Sequence, residues 1–223
     1  MSNCFSKDHQ IVLGYGAYAK VKNSFLNKLI RFETLMTAVQ YFSYSRLGQP
    51  YMGVGRNLAY TKDLFFEARG FMDHMHIKSG DDDLFVNQIA SAENTGICLS
   101  KNSFTESTSK KTYSDWIVQK RRHISTASHY KTKHKAMLSS FYVSQFLFFA
   151  LSIALLIPLF NWEIVVALIS LRYLALFITL TISAKKLEEK DLIPFFPVLE
   201  IFLIMTQFSI FIKNLISKPN RWK

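Results

Sequence analysis

Three consecutive aspartates, Asp81, Asp82 and Asp83, follow Gly80 and precede an apolar run that begins at Leu84. A structural interpretation is that the aspartates begin a helix, where carboxylates cap backbone N–H groups and favour the helix dipole. A chemical interpretation is that one carboxylate, held rigidly in a cleft, acts as general base toward an acceptor hydroxyl. Metal binding by Asp81 and Asp83 is a third possibility, but no buried apolar strand precedes them, since residues 74–79 are polar.

A second set of reactive side chains lies about 35 residues further on. Trp116, Gln119 and His123 have the spacing i, i+3, i+7, which places them on one face of a helix, with Arg122 beside them. Arginine can bind a diphosphate through two parallel hydrogen bonds, and glutamine can donate to a phosphate or sugar oxygen. The alternative is a basic surface helix that lies on lipid headgroups.

The apolar periodicity predicts the elements that would hold these residues. Residues 11–16 predict a strand that ends in a glycine turn, and Phe25, Leu29, Phe32, Met36 and Val39 mark one face of a helix over residues 23–42. We expect that helix to pack on the core, with a membrane-surface or acceptor-lining role as the alternative. Residues 51–60 predict a loop that enters a strand, and residues 62–68 predict a short helix that Gly70 and Phe71 stop.

Three apolar segments at the C-terminal end are long enough to cross a bilayer as helices. Residues 141–160 contain no charged side chain, residues 164–184 carry Arg172, and residues 193–212 carry Glu200. An ionisable side chain in the bilayer interior has a high free-energy cost. We therefore expect Arg172 and Glu200 to form an ion pair between neighbouring helices. A role in binding a lipid-linked acceptor is the alternative.

The net charge of +11 is concentrated just before the first apolar segment. Residues 110–135 hold eight lysines and arginines and a single acid, Asp115. Such a flank is typical of a cytoplasmic face that contacts anionic lipid, which favours membrane lipid over nucleic acid as the partner. The first two segments then form a hairpin, but a spanning third segment would carry the basic tail, residues 213–223, to the far side. Either the third segment spans regardless, or Pro194 and Pro197 begin a tilted or re-entrant helix.

The chain contains two cysteines, Cys4 and Cys98. They are too few and too far apart in sequence to indicate a metal site or a disulfide framework, and they are consistent with a reducing compartment.

Order and spacing together give the chain a resemblance to the C-terminal half of family 2 glycosyltransferases, membrane enzymes with a GT-A fold that include cellulose and hyaluronan synthases. Gly53 to Tyr60 with Gly70 and Phe71 resembles the segment that ends in a Gly-Phe turn on the acceptor side. Gly80, Asp81 and Asp82 resemble the family's Gly-Glu-Asp element, and Gln119 to His123 resembles its Q-x-x-R-W element. The resemblance implies an α/β fold, a partial GT-A domain over residues 1–137, followed by an α-helical membrane region of two to three helices over residues 138–223.

The resemblance also implies an activity: inverting transfer of a sugar from a nucleotide-sugar donor to a glycan or lipid-linked acceptor at the cytoplasmic membrane face. Asp82 would be the catalytic base, and Gln119 and Arg122 would stabilise the departing nucleoside diphosphate. A divalent metal, Mg or Mn, is expected for a full-length enzyme, with no ligands in this chain. The expected acceptor-side residues are Asp81, Trp116, His123, Arg56 and Asn57.

The sequence departs from the family pattern in three ways. Asp81 replaces a glutamate, His123 replaces a tryptophan and puts stacking on the acceptor sugar in doubt, and the nucleotide-binding half with its metal-binding D-x-D has no counterpart here. The expectation is therefore an N-terminally truncated enzyme that is inactive alone. A non-catalytic, membrane-anchored partner-binding protein is the alternative, and a membrane-proximal nucleic-acid binder ranks third.

Overall fold

The computed structural model describes residues 1–6, 8–77 and 79–217, and it places a small sheet around one buried strand. Strand β1 (Ile11–Gly14) pairs antiparallel with β3 (Leu58–Tyr60) and parallel with β4 (Thr95–Cys98). Strand β2 (Gly16–Tyr18) pairs in parallel with β5 (Thr105–Ser107). All four residues of β1 are buried, as expected for a central strand with no solvent-facing side. The predicted strand over residues 11–16 is therefore observed as β1 and the start of β2, whereas β4 and β5 were not predicted.

Four helices accompany the sheet: α1 (Phe25–Arg46), α2 (Lys62–Glu67), α3 (Asp81–Ile89) and α4 (Tyr113–Ala127). The hydroxyl of Ser24 accepts the backbone N–H of Asn27 at 3.1 Å and so caps the start of α1. The hydroxyl of Thr112 caps α4 in the same way. The helix predicted over residues 23–42 is confirmed and extends to Arg46.

Three apolar helices follow: α5 (Thr132–Leu156), α6 (Trp162–Lys186) and α7 (Phe196–Ile216). Among the described residues, these helices are long and apolar enough to cross a membrane, and the third candidate also includes the 3-10 turn Lys190–Phe195 before α7. The three predicted apolar segments are thus confirmed as helices, with the first beginning earlier than expected. Residues 218–223 of the predicted basic tail lie outside the described residues.

Helix α1 connects the sheet to the apolar helices. Leu29 and Phe32 on its predicted apolar face are fully buried, while Phe25 at its start is exposed. The ring of Phe32 lies 5.6 Å from that of Phe196 at the start of α7, and the ring of Phe25 lies 5.0 Å from that of Phe202. The expectation that α1 packs on the core is therefore confirmed, and part of that core belongs to α7.

A buried ion network fixes the same junction. Arg31 of α1 donates from Nε to Glu189 at 2.9 Å and from its two terminal nitrogens to Asp191 at 2.8 and 2.6 Å. The hydroxyl of Tyr15 donates to the other oxygen of Glu189 at 3.0 Å. Both Arg31 and Glu189 are 2% exposed, so each depends on the other for compensation of its charge.

The predicted ion pair between Arg172 of α6 and Glu200 of α7 is also present. The guanidinium donates to the two carboxylate oxygens at 2.5 and 3.3 Å, and the side-chain amide of Gln145 in α5 donates to the same carboxylate at 3.3 Å. Glu200 is 1% exposed. One polar side chain from each of the three apolar helices therefore takes part in this contact, which lowers the free-energy cost of burying Arg172 and Glu200.

The interpretation of the cysteines was wrong. Cys4 and Cys98 form a disulfide, with their Cα atoms 5.8 Å apart, which ties the N-terminal turn to strand β4. Separation in sequence did not prevent pairing, because β4 lies beside β1 and returns Cys98 to the start of the chain. Disulfides are typical of oxidising compartments, so the cysteines no longer favour a reducing one.

Candidate functional site

The start of α3 lies against the end of α4, which brings two of the three motifs together. Gly80, just before α3, has φ +79°, a left-handed conformation that glycine adopts without strain. A Cβ atom at this position would lie 2.0 Å from Cγ2 of Thr126 in α4. Gly80 therefore allows the two helices to approach closely, and the aspartates that follow it face the neighbourhood of α4.

Asp82 links the third motif to the same place. Its carboxylate accepts the backbone N–H of Gly55 at 2.6 Å, and a Cβ atom on Gly55 would lie 2.7 Å from that oxygen. Glycine is thus the residue that permits this approach. The loop at Gly55, the first turn of α3 and the end of α4 converge, although Gly55 and Thr126 are 71 residues apart in sequence.

Asp83 is the most electrostatically perturbed carboxyl group of this cluster. Burial raises the pKa of Asp83 to about 8, and the adjacent Asp82 carboxylate adds to the increase. A hydrogen bond with Tyr130 and the positive charge of Lys120 act in the opposite direction. Asp83 is therefore predominantly protonated at pH 7, whereas Asp82 is the carboxylate that the Gly55 amide holds in place. Perturbed groups of this kind are concentrated at functional sites.

The cationic side of the cluster comes from α4. Lys120 forms a half-buried ion pair with Glu33 of α1 at 2.5 Å, which fixes α4 against α1. His123 keeps contact with solvent, but surrounding protein and the charges of Lys120, Arg122 and Arg56 lower the pKa of its imidazole well below the usual range. His123 is thus neutral at pH 7. Gln119 and Arg122 are both half-buried on the same helix.

The acceptor-side residues of the prediction occupy different environments. Asn57 is 3% exposed, and its amide nitrogen donates to the carbonyls of Tyr15 and Ser103 at 2.8 and 2.7 Å. Arg56 donates to the carbonyl of Ala17 at 2.7 Å and lies over the ring of Tyr18. Asn57 thus holds the Gly55 loop against β2, and its contact with an acceptor stays a prediction.

Trp116 and Asp81 lie at opposite extremes of exposure. Trp116 is 1% exposed, with its ring 5.6 Å from that of Tyr113, so it belongs to the core beneath α4. Asp81 is exposed at the start of α3. Stacking of Trp116 on a sugar would require the ring to leave the core, whereas Asp81 is accessible without rearrangement.

A groove of about 630 Å³ lies between α1, α5 and α6. The exposed surface of its walls is mostly apolar, but polar side chains also line it, among them Gln40 of α1, Gln145 of α5 and Arg172 of α6. The hydroxyl of Tyr51 donates to the side-chain oxygen of Gln40 at 3.2 Å, and the Tyr51 ring lies 6.2 Å from that of Tyr130, the partner of Asp83. One layer of aromatic side chains therefore separates the groove from the acidic residues.

Sequence reasoning missed two contributors to the site, Lys120 and Tyr130, and gave Asp83 by name only a possible metal-binding role. Asp83 and Lys120 lie inside the two predicted motifs, and only their burial and their neighbours distinguish them. Tyr130 follows α4 in the link to α5, where no spacing pattern indicates it. The contact with Asp83 exists only because α3 and α4 pack together.

Among the described residues, no group of three or more histidine, cysteine, aspartate or glutamate side chains is arranged to hold a metal ion. Comparison with known proteins adds no family, since no protein-family model matches the chain and no curated protein matches it.

Proposed function

We propose that the chain carries the acceptor side of an inverting glycosyltransferase with a partial GT-A fold, which acts at a membrane surface. The observation that carries the proposal is the convergence of the Gly55 loop, the first turn of α3 and the end of α4. Asp83, beside the proposed base Asp82, then lies within electrostatic reach of Lys120 of α4, and the chain also holds helices apolar enough to enter a bilayer.

The proposed reaction assigns one role to each side of the cluster. Asp82 accepts the proton of an acceptor hydroxyl, and the oxygen lone pair forms the new bond to the anomeric carbon of a nucleotide-sugar. The bond from that carbon to the phosphate oxygen breaks, and the nucleoside diphosphate departs with the electron pair. Gln119 and Arg122 stabilise the departing charge through hydrogen bonds.

The groove favours a lipid-linked acceptor over a free glycan. Its apolar walls belong partly to α5 and α6, so hydrocarbon can enter it from the bilayer rather than from water. The hydroxyl end of such a lipid would then lie toward Tyr51 and the acidic cluster. The basic flank favours the cytoplasmic face, whereas the disulfide favours an oxidising compartment.

The test is a comparison of variants in membrane vesicles, with the chain joined to the nucleotide-binding half of a family 2 glycosyltransferase because the chain is expected to be inactive alone, and with release of nucleoside diphosphate from a panel of nucleotide-sugars as the readout. We expect Asp82→Asn to reduce the rate by about 10²- to 10⁴-fold, the contribution of a positioned general base. Asparagine keeps an oxygen that accepts the Gly55 amide, so the fold is retained. Arg122→Ala should also reduce the rate, through loss of leaving-group stabilisation.

Asp63→Asn provides the matched control, because Asp63 is also an aspartate in the first turn of a helix but is exposed on α2. This variant should retain the wild-type rate. Equal activity of Asp82→Asn and Asp63→Asn would contradict the assignment of the base. Absence of release from every donor by the folded wild-type chain joined to the nucleotide-binding half would contradict the proposed function.

A further inference from the structure

The groove between α1, α5 and α6 has an inner end near the middle of the two apolar helices. This end contains Gln145 of α5 and Arg172 of α6. From Arg172 the α6 wall continues to Leu180, about 12 Å further along the helix axis. With α5 and α6 across a bilayer, the groove therefore extends over much of one leaflet, whose hydrocarbon is about 15 Å thick, half of the bilayer core.

The inner end is polar, but its charge is compensated. Arg172 is paired with Glu200 of α7, and its guanidinium lies 4.6 Å from the ring centre of Phe149 and 5.2 Å from that of Phe148. The exposed surface of the groove is mostly apolar. At this depth the groove thus suits a hydrocarbon chain rather than a charged headgroup.

The outer end of the groove lies toward the N-terminal region. The α1 wall reaches Tyr44 there, and the ring of Tyr44 lies 5.5 Å from that of Tyr51. The Tyr51 ring lies 6.3 Å from the imidazole of His134, in the first turn of α5. Because α6 returns from α5 after a short link, the end of α1, the start of α5 and the end of α6 all lie at this outer end.

One exposed cation extends each wall of the groove beyond the outer end. Each cation lies two or three helical turns from a groove-lining residue of the same helix, so it is placed on the groove side of that helix. Among the described residues, none of these cations forms an ion pair. They are Arg46, seven residues after Val39 in α1; Lys133, eleven residues before Ser144 in α5; and Lys186, seven residues after Thr179 in α6.

The acidic residues that follow α6 do not compensate these cations, because they pair with cations of the N-terminal region. The pairs are Glu188 with Lys101, Glu189 with Arg31, and Asp191 with Arg31 and Lys20. The outer end therefore keeps its positive charge directly beside an apolar groove. An anionic headgroup attached to a hydrocarbon chain is complementary to both features.

We propose that the groove binds one acyl chain of an anionic phospholipid from the leaflet nearer the N-terminal region, with its phosphate bound at the outer end by Arg46, Lys133 and Lys186. Lysine and arginine donate charge-assisted hydrogen bonds to phosphate oxygens. A zwitterionic lipid supplies the same chain, but the cation of its own headgroup weakens this contact. The bound lipid fills the space between the N-terminal region and the apolar hairpin. The proposal does not depend on sugar transfer, and a lipid-linked acceptor would have to displace this chain.

Photo-crosslinking measures the occupancy of the groove. The full chain is reconstituted in phosphatidylcholine vesicles that contain a trace of either phosphatidylglycerol or phosphatidylcholine with a diazirine in one acyl chain. We expect phosphatidylglycerol to label the groove-lining parts of α1, α5 and α6 about fivefold more, or better, than phosphatidylcholine does. Equal labelling by the two lipids would overturn the proposal. Absence of label from the groove, which a second copy of the chain seated there would cause, would overturn it as well.

The role of the headgroup is tested by removal of the three cations. A triple glutamine variant at the cations of the outer end should reduce labelling by phosphatidylglycerol to the level of phosphatidylcholine. A control triple variant removes the same charge from exposed lysines outside α1, α5 and α6, and should leave the preference unchanged. Equal labelling of the two triple variants would contradict the assignment of the phosphate site. The variants are Arg46→Gln, Lys133→Gln and Lys186→Gln against Lys22→Gln, Lys110→Gln and Lys111→Gln.

The role of the groove itself is tested by filling it. Ala175 of α6 lines the groove, so the phenyl ring of Ala175→Phe should occupy the space of the acyl chain and reduce labelling by both lipids. Ala167→Phe is the matched control, because Ala167 is exposed on another face of α6, outside the groove. Equal labelling of these two variants would show that the lipids contact the outer surface of the helices and would overturn the proposal.

Discussion

Replacement of Arg31 by methionine tests whether the buried ion network holds the N-terminal region on the apolar helices. Methionine fills similar space but leaves the carboxylate of Glu189, 2% exposed, without its guanidinium. Loss of one member of a buried pair costs about 3–5 kcal/mol, because the remaining charge stays desolvated. Tyr15 compensates only partly, since it supplies a single hydrogen bond to Glu189.

For a chain of this size, 1 kcal/mol corresponds to about 2–4 °C in the unfolding midpoint, so Arg31→Met should lower that midpoint by about 10 °C. The measurement is thermal unfolding in detergent micelles, followed by loss of helical circular dichroism. Lys20→Ala is the matched control, because Lys20 contacts Asp191 in the same network but is 54% exposed, and such pairs contribute about 0–1 kcal/mol. The double variant Arg31→Met with Glu189→Gln should recover most of the loss, since it removes the unpaired charge. Equal midpoints for Arg31→Met and Lys20→Ala would refute this reasoning.

Three further outcomes follow from single sites. Gly80→Ala should destabilise the fold by about 2–3 kcal/mol, because alanine is strained in the left-handed conformation and its Cβ atom overlaps with Thr126. The double variant with Thr126→Ser removes the overlapping methyl group, so in thermal unfolding it should recover the share of the loss that the overlap causes. Because the pKa of Asp83 is raised in the folded state, the folded protein binds one more proton than the unfolded chain between about pH 4 and 8. The free energy of unfolding should therefore decrease as the pH rises through that range. In the variant Asp83→Asn, this contribution to the pH dependence of the free energy of unfolding should be absent. Alkylation of the denatured, unreduced protein should label neither Cys4 nor Cys98, and reduction should lower the free energy of unfolding by about 3–5 kcal/mol, given the long loop that the disulfide closes. A labelled thiol before reduction would contradict the disulfide.

The sequence by itself determined the features that depend on neighbours along the chain. The apolar periodicity of residues 25–39 gave α1, the three apolar segments gave α5 to α7, and the charges of Arg172 and Glu200 gave their ion pair. The sequence predicts these features because helical periodicity, and the free-energy cost of a charged side chain in an apolar segment, can both be judged from residues close together in the chain. The Gly80 turn and the three aspartates likewise gave the start of α3.

Only the tertiary structure decided what depends on packing between distant segments. The short strands β4 and β5 carry little apolar pattern of their own and exist through pairing with β1 and β2. The same pairing brings Cys98 to Cys4, and the packing of α3 on α4 gives Asp83 its altered pKa. Likewise, composition left the position of α7 undecided, because an apolar helix of this length suits both the interface and the interior of a bilayer. The bond from Arg121 to Asn214 in its last turn joins residues far apart in sequence, and only the tertiary structure shows it.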